Sequence, residues 1–273
     1  MRHTAPPRRR GVPLVGALLA TLVLVAGCAG GSAHRQDSQA ATGQSATTVT
    51  TGNTMDQKVA ATAATTRLVD QNGDAFTLRS LRGKTVVLAP FLTFCQETCP
   101  MTTANLHRAA EAAQGRGTAG QVVFLELSVD PQRDTVRRMK AYQRLYGALP
   151  DWRLATGNPA QVLALWRALG VSTEKTRPQD TVRDWLTGTL VHHSYDVHHQ
   201  DVVMVLGASG RLRWITVGRP DARGTRLPTG LHAFLNEEGR RNYAHPNADG
   251  ADSWTAHDVE QAVAAVRRQT SGG

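Results

Sequence analysis

The chain has 273 residues, 41% of them hydrophobic and only 5% aromatic, with a formal net charge of +9. That length holds one large domain or two small ones. Setting aside the first 27 residues removes four arginines and no acids, which leaves +5 scattered over several predicted helices. A charge that modest suits a solvated face or attraction to an anionic membrane surface, and it speaks against nucleic-acid binding.

Residues 1–27 start with Arg2, Arg8, Arg9 and Arg10, continue in an apolar run from Val12 to Val25, and end in Ala26-Gly27 before Cys28. An apolar run this short is the core of a signal peptide rather than a spanning helix, which needs about 20 residues. Val25-Ala26-Gly27-Cys28 resembles a bacterial lipobox, in which the cysteine is lipidated after cleavage. An ordinary cleaved signal is the alternative, and the paired arginines alone do not establish twin-arginine export. The expectation is an extracytoplasmic protein held at the outer face of the cell membrane through lipid on Cys28. Residues 29–65 are rich in Ala, Gly, Ser, Thr and Gln. They have too little apolar surface to offset their ordering entropy, so 28–65 is expected to be a lipidated, flexible tether and 66–273 the folded domain.

Structure is expected to begin near Arg67. Asn72-Gly73 marks a hairpin turn between 67–70 and 75–78. Val86–Phe91 and Val122–Val129 are continuous apolar runs of strand length, as in strands buried on both faces. Between them, Met101–Ala113 reads as a helix ending near Gly115. After 130-DPQRDT-135 a second helix runs to Tyr146, stopped by Gly147 and Pro150. Asn158-Pro159 caps and starts a third, through Leu169. Val202–Leu206 and Leu212–Val217 form a hairpin around Gly207–Gly210, and a last helix spans Ala256–Arg268. Strands alternating with helices, then a hairpin and a helix, describe a thioredoxin-like α/β fold. Residues 219–253, with a helical candidate at Leu231–Arg241, read as an insertion over one face.

Chemistry concentrates in 91-FLTFCQETCPMTTANL-106. With Cys28 assigned to lipid, Cys95 and Cys99 are the only pair left in the mature chain, and in an oxidising compartment such a pair either forms a disulfide or binds a metal. They follow a buried strand and open a helix, whose N-terminal partial charge and free N–H groups lower a thiol pKa. Three residues separate them, one more than in a thioredoxin-type redox motif. That spacing still permits a disulfide, and it also lets both sulfurs face one soft ion. A static structural pair is the bland alternative.

A third donor is sought in 189-TLVHHSYDVHHQDVVMVLGASGRL-212, which holds His192, His193, His198 and His199. No proline occurs between Pro178 and Pro220, so the cis-proline expected of a thiol–disulfide oxidoreductase in this loop is missing. Two thiolates and an imidazole suit three-coordinate Cu(I), whereas zinc normally takes a fourth ligand. Neighbouring residues of an extended chain point to opposite sides, so only one of His198 and His199 should ligate. Most of the four are expected to be surface residues. His107, His232, His245 and His257 show no spacing that suggests a site.

From Arg67 to Val217 the sequence resembles the Sco/SenC family of thioredoxin-like copper proteins of cytochrome c oxidase assembly. The resemblance runs in order through 72-NGDAFTLRSLRGKTVVL-88, 91-FLTFCQETCP-100, 128-SVDPQRDT-135, 153-RLATGNPAQVLALWRALGV-171 and 195-YDVHHQDVVMVLGASGRL-212. It implies copper held by Cys95, Cys99 and one histidine. Val197-His198-His199, with Gly210 eleven positions on, makes that histidine His199 and puts His198 where an Asp is usual. Asp130 also matches. The expected function is copper binding, as Cu(I) or Cu(II), and delivery to an oxidase subunit or another copper protein. The alternative is an enzyme, a thiol–disulfide oxidoreductase using Cys95 and Cys99 to keep partner cysteines reduced. A peroxidase ranks behind both, because the second cysteine sits too close for the usual distant resolving thiol.

Overall fold

The computed structural model describes residues 51–178, 181–247 and 252–271. In chain order the elements are β1 (Asn53–Lys58), α1 (Ala61–Thr65), β2 (Leu68–Asp70), β3 (Ala75–Phe76), β4 (Thr85–Phe91), α2 (Cys99–Gly115), β5 (Val122–Ser128), α3 (Val136–Tyr146), β6 (Trp152–Gly157) and α4 (Pro159–Ala168). There follow β7 (Thr173–Thr176), β8 (Val182–Arg183), β9 (Leu190–Val191), β10 (Asp196–His199), β11 (Val202–Leu206), β12 (Arg211–Val217), β13 (Arg219–Pro220), α5 (Thr229–Phe234), α6 (Glu237–Ala244), β14 (Ser253–Trp254) and α7 (Ala256–Ser271).

Eight strands form one mixed sheet in the order β1-β12-β11-β4-β5-β6-β2-β3. β4, β5 and β6 run parallel, and β11 pairs antiparallel with β4. Every residue of β4, β5 and β11 is buried, which is why these stretches read as unbroken apolar runs instead of alternating ones. Each parallel crossover carries a helix, α2 between β4 and β5 and α3 between β5 and β6. This is the α/β layer fold expected from the sequence. Its helix starts are set by short polar signals. Thr135 accepts from the Arg138 N–H, and Asn158 accepts from the Gln161 N–H with Pro159 behind it, two side-chain caps for otherwise orphan donors.

Four features differ from the sequence reading. Residues 53–65 fell within the expected tether, yet β1 pairs with β12 at the sheet edge and α1 buries Ala63. β1 is almost wholly exposed, and its ladder partner supplies the order that composition does not. β6 went unread because only six residues, WRLATG, stand between a turn and a helix cap. The helical candidate at 231–241 is two helices, broken where the Asn236 side chain accepts from Gly239 N–H and starts a new one. Finally, α2 begins at Cys99 itself, with Pro100 in its first turn. The signal-peptide and lipidation readings, including Cys28, fall on residues outside those described. Among the described residues no helix is long and apolar enough to cross a membrane.

Candidate metal centre

β4 delivers the chain into the loop 92–98, and α2 collects it at Cys99. Because Cys99 is the first helical residue, its amide has no intrahelical acceptor. It donates instead to Cys95 Sγ, 3.4 Å away. Cys99 is buried and Cys95 half-buried, and both are free thiols. The third predicted ligand arrives from β10, where Val197-His198-His199 pairs with β7. The alternation expected of an extended chain holds here, with His198 exposed and His199 turned inward. His199 Nε2 lies 3.5 Å from Cys99 Sγ. Its Nδ1 lies 3.0 Å from the Gln200 carbonyl, a contact that fixes the ring with Nε2 toward the sulfurs when Nδ1 carries the proton.

The two thiols are electrostatically unlike. The side-chain hydrogen bond from Cys99 holds the Cys95 thiol well below its ordinary range, against the opposing pull of burial and with help from His199. Burial pushes Cys99 well up, and the Cys95 charge beside it adds to this. The two thiols are thus pushed in opposite directions, Cys95 toward the thiolate and Cys99 toward the protonated form. Burial alone would lower the His199 imidazole, but the Cys95 hydrogen bond and the nearby Asp201 carboxylate outweigh it and raise it. Asp201 is itself raised, mainly by burial, and accepts from Thr98 Oγ1 at 2.8 Å. Cys95, Cys99 and His199 thus meet at the start of α2, with Asp201 joined to the same loop through Thr98.

Two soft sulfurs and one imidazole nitrogen fit a soft monovalent ion in low coordination. Among the described residues, no three His, Cys, Asp or Glu side chains form a finished metal cage, so the trio is a gathered donor set rather than a completed site.

The other histidines separate from the site. His193 lies edge-on to Phe94, 4.3 Å between ring centroids, while His192 is exposed. His107 meets the Gly147 carbonyl at 2.9 Å and the Trp152 ring edge-on. His232 packs on Tyr243, and His257 faces Gln261. Asp130 accepts from Tyr195 Oη at 2.9 Å and pairs with Arg133, whose Nη1 donates to the Tyr195 carbonyl. It braces the chain just ahead of β10. Sequence reasoning missed Thr98 and Asp201, and the one signal for Asp201 was an acid two residues after the ligand histidine. It also passed over Glu126, a carboxylate inside the buried run VVFLELSV. Glu126 accepts from Thr103 Oγ1 at 2.6 Å and Trp152 Nε1 at 2.8 Å, and burial raises it to about 7.

Known proteins share part of this sequence and its fold. A family model described as SCO1/SenC matches residues 54–223. A protein of Stutzerimonas stutzeri named for copper binding is 29% identical over 146 residues, 54% of this chain and 64% of that protein, so the chain spans under two thirds of that relative's length. The solution structure of apo Sco1 from Thermus thermophilus, 20% identical, covers 78% of this chain and 95% of its own with a TM-score of 0.50, a likeness of fold. The crystal structure of Arabidopsis thaliana ScoI with copper bound is 26% identical over 54% of this chain and 82% of that one, with a TM-score of 0.44.

Proposed function

The chain belongs to the SCO1/SenC family, and on that premise we propose that it holds copper between Cys95, Cys99 and His199 and passes it to another copper protein. The observation that carries this reading is the meeting of Cys99 Sγ and His199 Nε2 at 3.5 Å, with the Cys99 amide on Cys95 Sγ. In the proposed cycle Cys95 is the thiolate that captures the ion. Cys99 then gives up its proton as it becomes the second sulfur ligand, and His199 ligates as neutral imidazole through Nε2. Two thiolates and Cu(I) carry one net negative charge, which the start of α2 eases. Release proceeds by ligand exchange, with the half-buried Cys95 the first to be replaced. Copper binding by Sco relatives and the family's link to cytochrome c oxidase assembly support an oxidase copper site as the recipient. The signal peptide and lipid on Cys28 complete the proposal, placing the domain at the outer face of the cell membrane. Replacing Cys28 by Ser should move the chain from the membrane fraction to the soluble one.

The test is titration of the reduced chain with Cu(I) against a chromophoric chelator. One copper per chain is expected, lost in Cys95→Ser and weakened at least tenfold in His199→Ala. Full affinity in Cys95→Ser would end the model.

A second reading draws on the lowered Cys95 thiol, which is the nucleophile a thiol–disulfide reductase needs. That activity should survive His199→Ala. Partner-disulfide reduction by this variant, together with copper binding indifferent to it, would transfer the assignment to the reductase.

A further inference from the structure

Two of the three residues between the cysteines, Gln96 and Glu97, are gripped by a part of the chain that lies beyond the family match. That match ends at residue 223, whereas the grip comes from the joint between α5 and α6. The Asn236 N–H donates to the Gln96 carbonyl at 3.1 Å. Gln96 Nε2 donates back to the Phe234 carbonyl at 2.8 Å. Asn236 Nδ2 donates to Glu97 Oε1 at 3.0 Å, while its Oδ1 caps α6 by accepting from Gly239 N–H at 2.7 Å. Gly239 is buried against the same loop. A Cβ on it would stand 2.0 Å from the Gln96 carbonyl oxygen and 3.1 Å from Glu97 Cα, so glycine is required here for close approach, not for turn geometry.

The grip is itself anchored. Leu231 and Phe234 enter the main core. Ala222, Leu227 and Leu235 pack with Met101 and Ala104 on the helix that Cys99 begins, and Tyr243 Oη donates to the Thr225 carbonyl at 3.0 Å. The insertion therefore holds both α2 and the loop leading into it.

We propose that Asn236 and Gly239 are positioning residues, and that the α5–α6 joint is a clamp holding the Cys95–Cys99 backbone in its ligand-bearing shape. The proposal rests on the copper reading above. A loop fixed before the ion arrives loses less freedom on binding, and ligand exchange that needs the two sulfurs to part must first break the clamp. Removing the clamp should weaken copper binding and speed its release.

The experiment compares the wild-type full chain with Gly239→Ala, which drives a methyl into the Gln96 carbonyl, and with Asn236→Ser, which keeps an N-cap for α6 but deletes the amide bond to Glu97. Arg241→Ala, on the exposed side of α6, is the control. Cu(I) affinity and the rate of Cu(I) transfer to a chelator are measured, and amide hydrogen exchange at residues 95–99 is followed in the metal-free chain. Expected are at least fivefold weaker binding and tenfold faster transfer in Gly239→Ala, a smaller change of the same sign in Asn236→Ser, none in Arg241→Ala, and faster exchange confined to the loop. If Gly239→Ala does not fold, Asn236→Ser and Gln96→Ala decide. Loop exchange that rises while copper affinity and transfer stay at wild-type values would overturn the proposal. So would loop exchange unchanged in both clamp variants. If wild type binds no copper the reading above fails, and the exchange data still decide whether a clamp exists.

Discussion

β4, which leads into the cysteine loop, and β10, which carries His199, differ in almost every respect. β4 has seven buried residues and is bonded along both sides, to β11 and to β5. β10 has four residues, none of them fully buried, and a single neighbour, β7, in a two-stranded ladder outside the main sheet. An isolated pair of strands is marginal in water, so the His199 arm depends on braces that the sulfur arm does not need. Tyr195 supplies them, with its hydroxyl on Asp130 and Arg133 and Lys175 stacked on its ring at 4.2 and 3.8 Å. A site meant to take up and give away an ion gains from this inequality, since one arm keeps the donors in place while the other yields.

Three measurements would break or sharpen the contrast. The largest effect should come from Leu88→Ala, at the fully buried centre of β4. Truncating such a side chain costs about 3 kcal/mol, read as a fall in the denaturant midpoint of the whole domain. Next is Glu126→Gln, which loses the carboxyl that accepts from Thr103 of α2 and from Trp152. A carboxyl held at about 7 against an ordinary 4.5 keeps its proton longer in the folded chain than in the unfolded one. Its stabilising effect is therefore full below the unfolded value and is lost as pH rises through the folded one. The unfolding free energy of wild type relative to Glu126→Gln should fall by roughly 2 to 3 kcal/mol between pH 5 and pH 8. A flat difference would mean that Glu126 is not titrating as a buried acid. The smallest is Tyr195→Phe, which removes the hydroxyl from Asp130. It should cost about 1 kcal/mol globally yet weaken copper binding, because the loss falls on the His199 arm. Should Tyr195→Phe destabilise the domain as much as Leu88→Ala, the two arms are one unit and the distinction goes.

The same contrast sets what could be read in the sequence. β4, β5 and β11 announce themselves because burial on both faces leaves unbroken apolar runs. α3 and α4 announce themselves through Thr135, Asn158 and Pro159. Cys95 and Cys99 stand out by residue type alone. His199 was chosen from four candidates only by alternation and by resemblance to a family, for a short exposed strand has no periodicity of its own. β1 was invisible because an edge strand takes its order from β12 rather than from composition. Gln96 and Asn236 were equally silent, since 140 positions separate them in the chain and their bonds are backbone and amide contacts that any polar sequence could make.

The excursion that carries α5 and α6 leaves and returns through one narrow stem. Arg219–Pro220 lies parallel to Ser253–Trp254, Arg219 N–H donates to the Asp252 carbonyl, and Trp254 Nε1 donates to the Gly218 carbonyl. With its two ends already held together, such a segment adds closure entropy only logarithmically, about 0.6 kcal/mol for each doubling of length. What the stem does not supply is the packing of Leu231 and Phe234 in the main core, so a replacement segment must refill those two places. With that condition met, the length of chain between the stem and the core contacts is free to vary at little entropic cost.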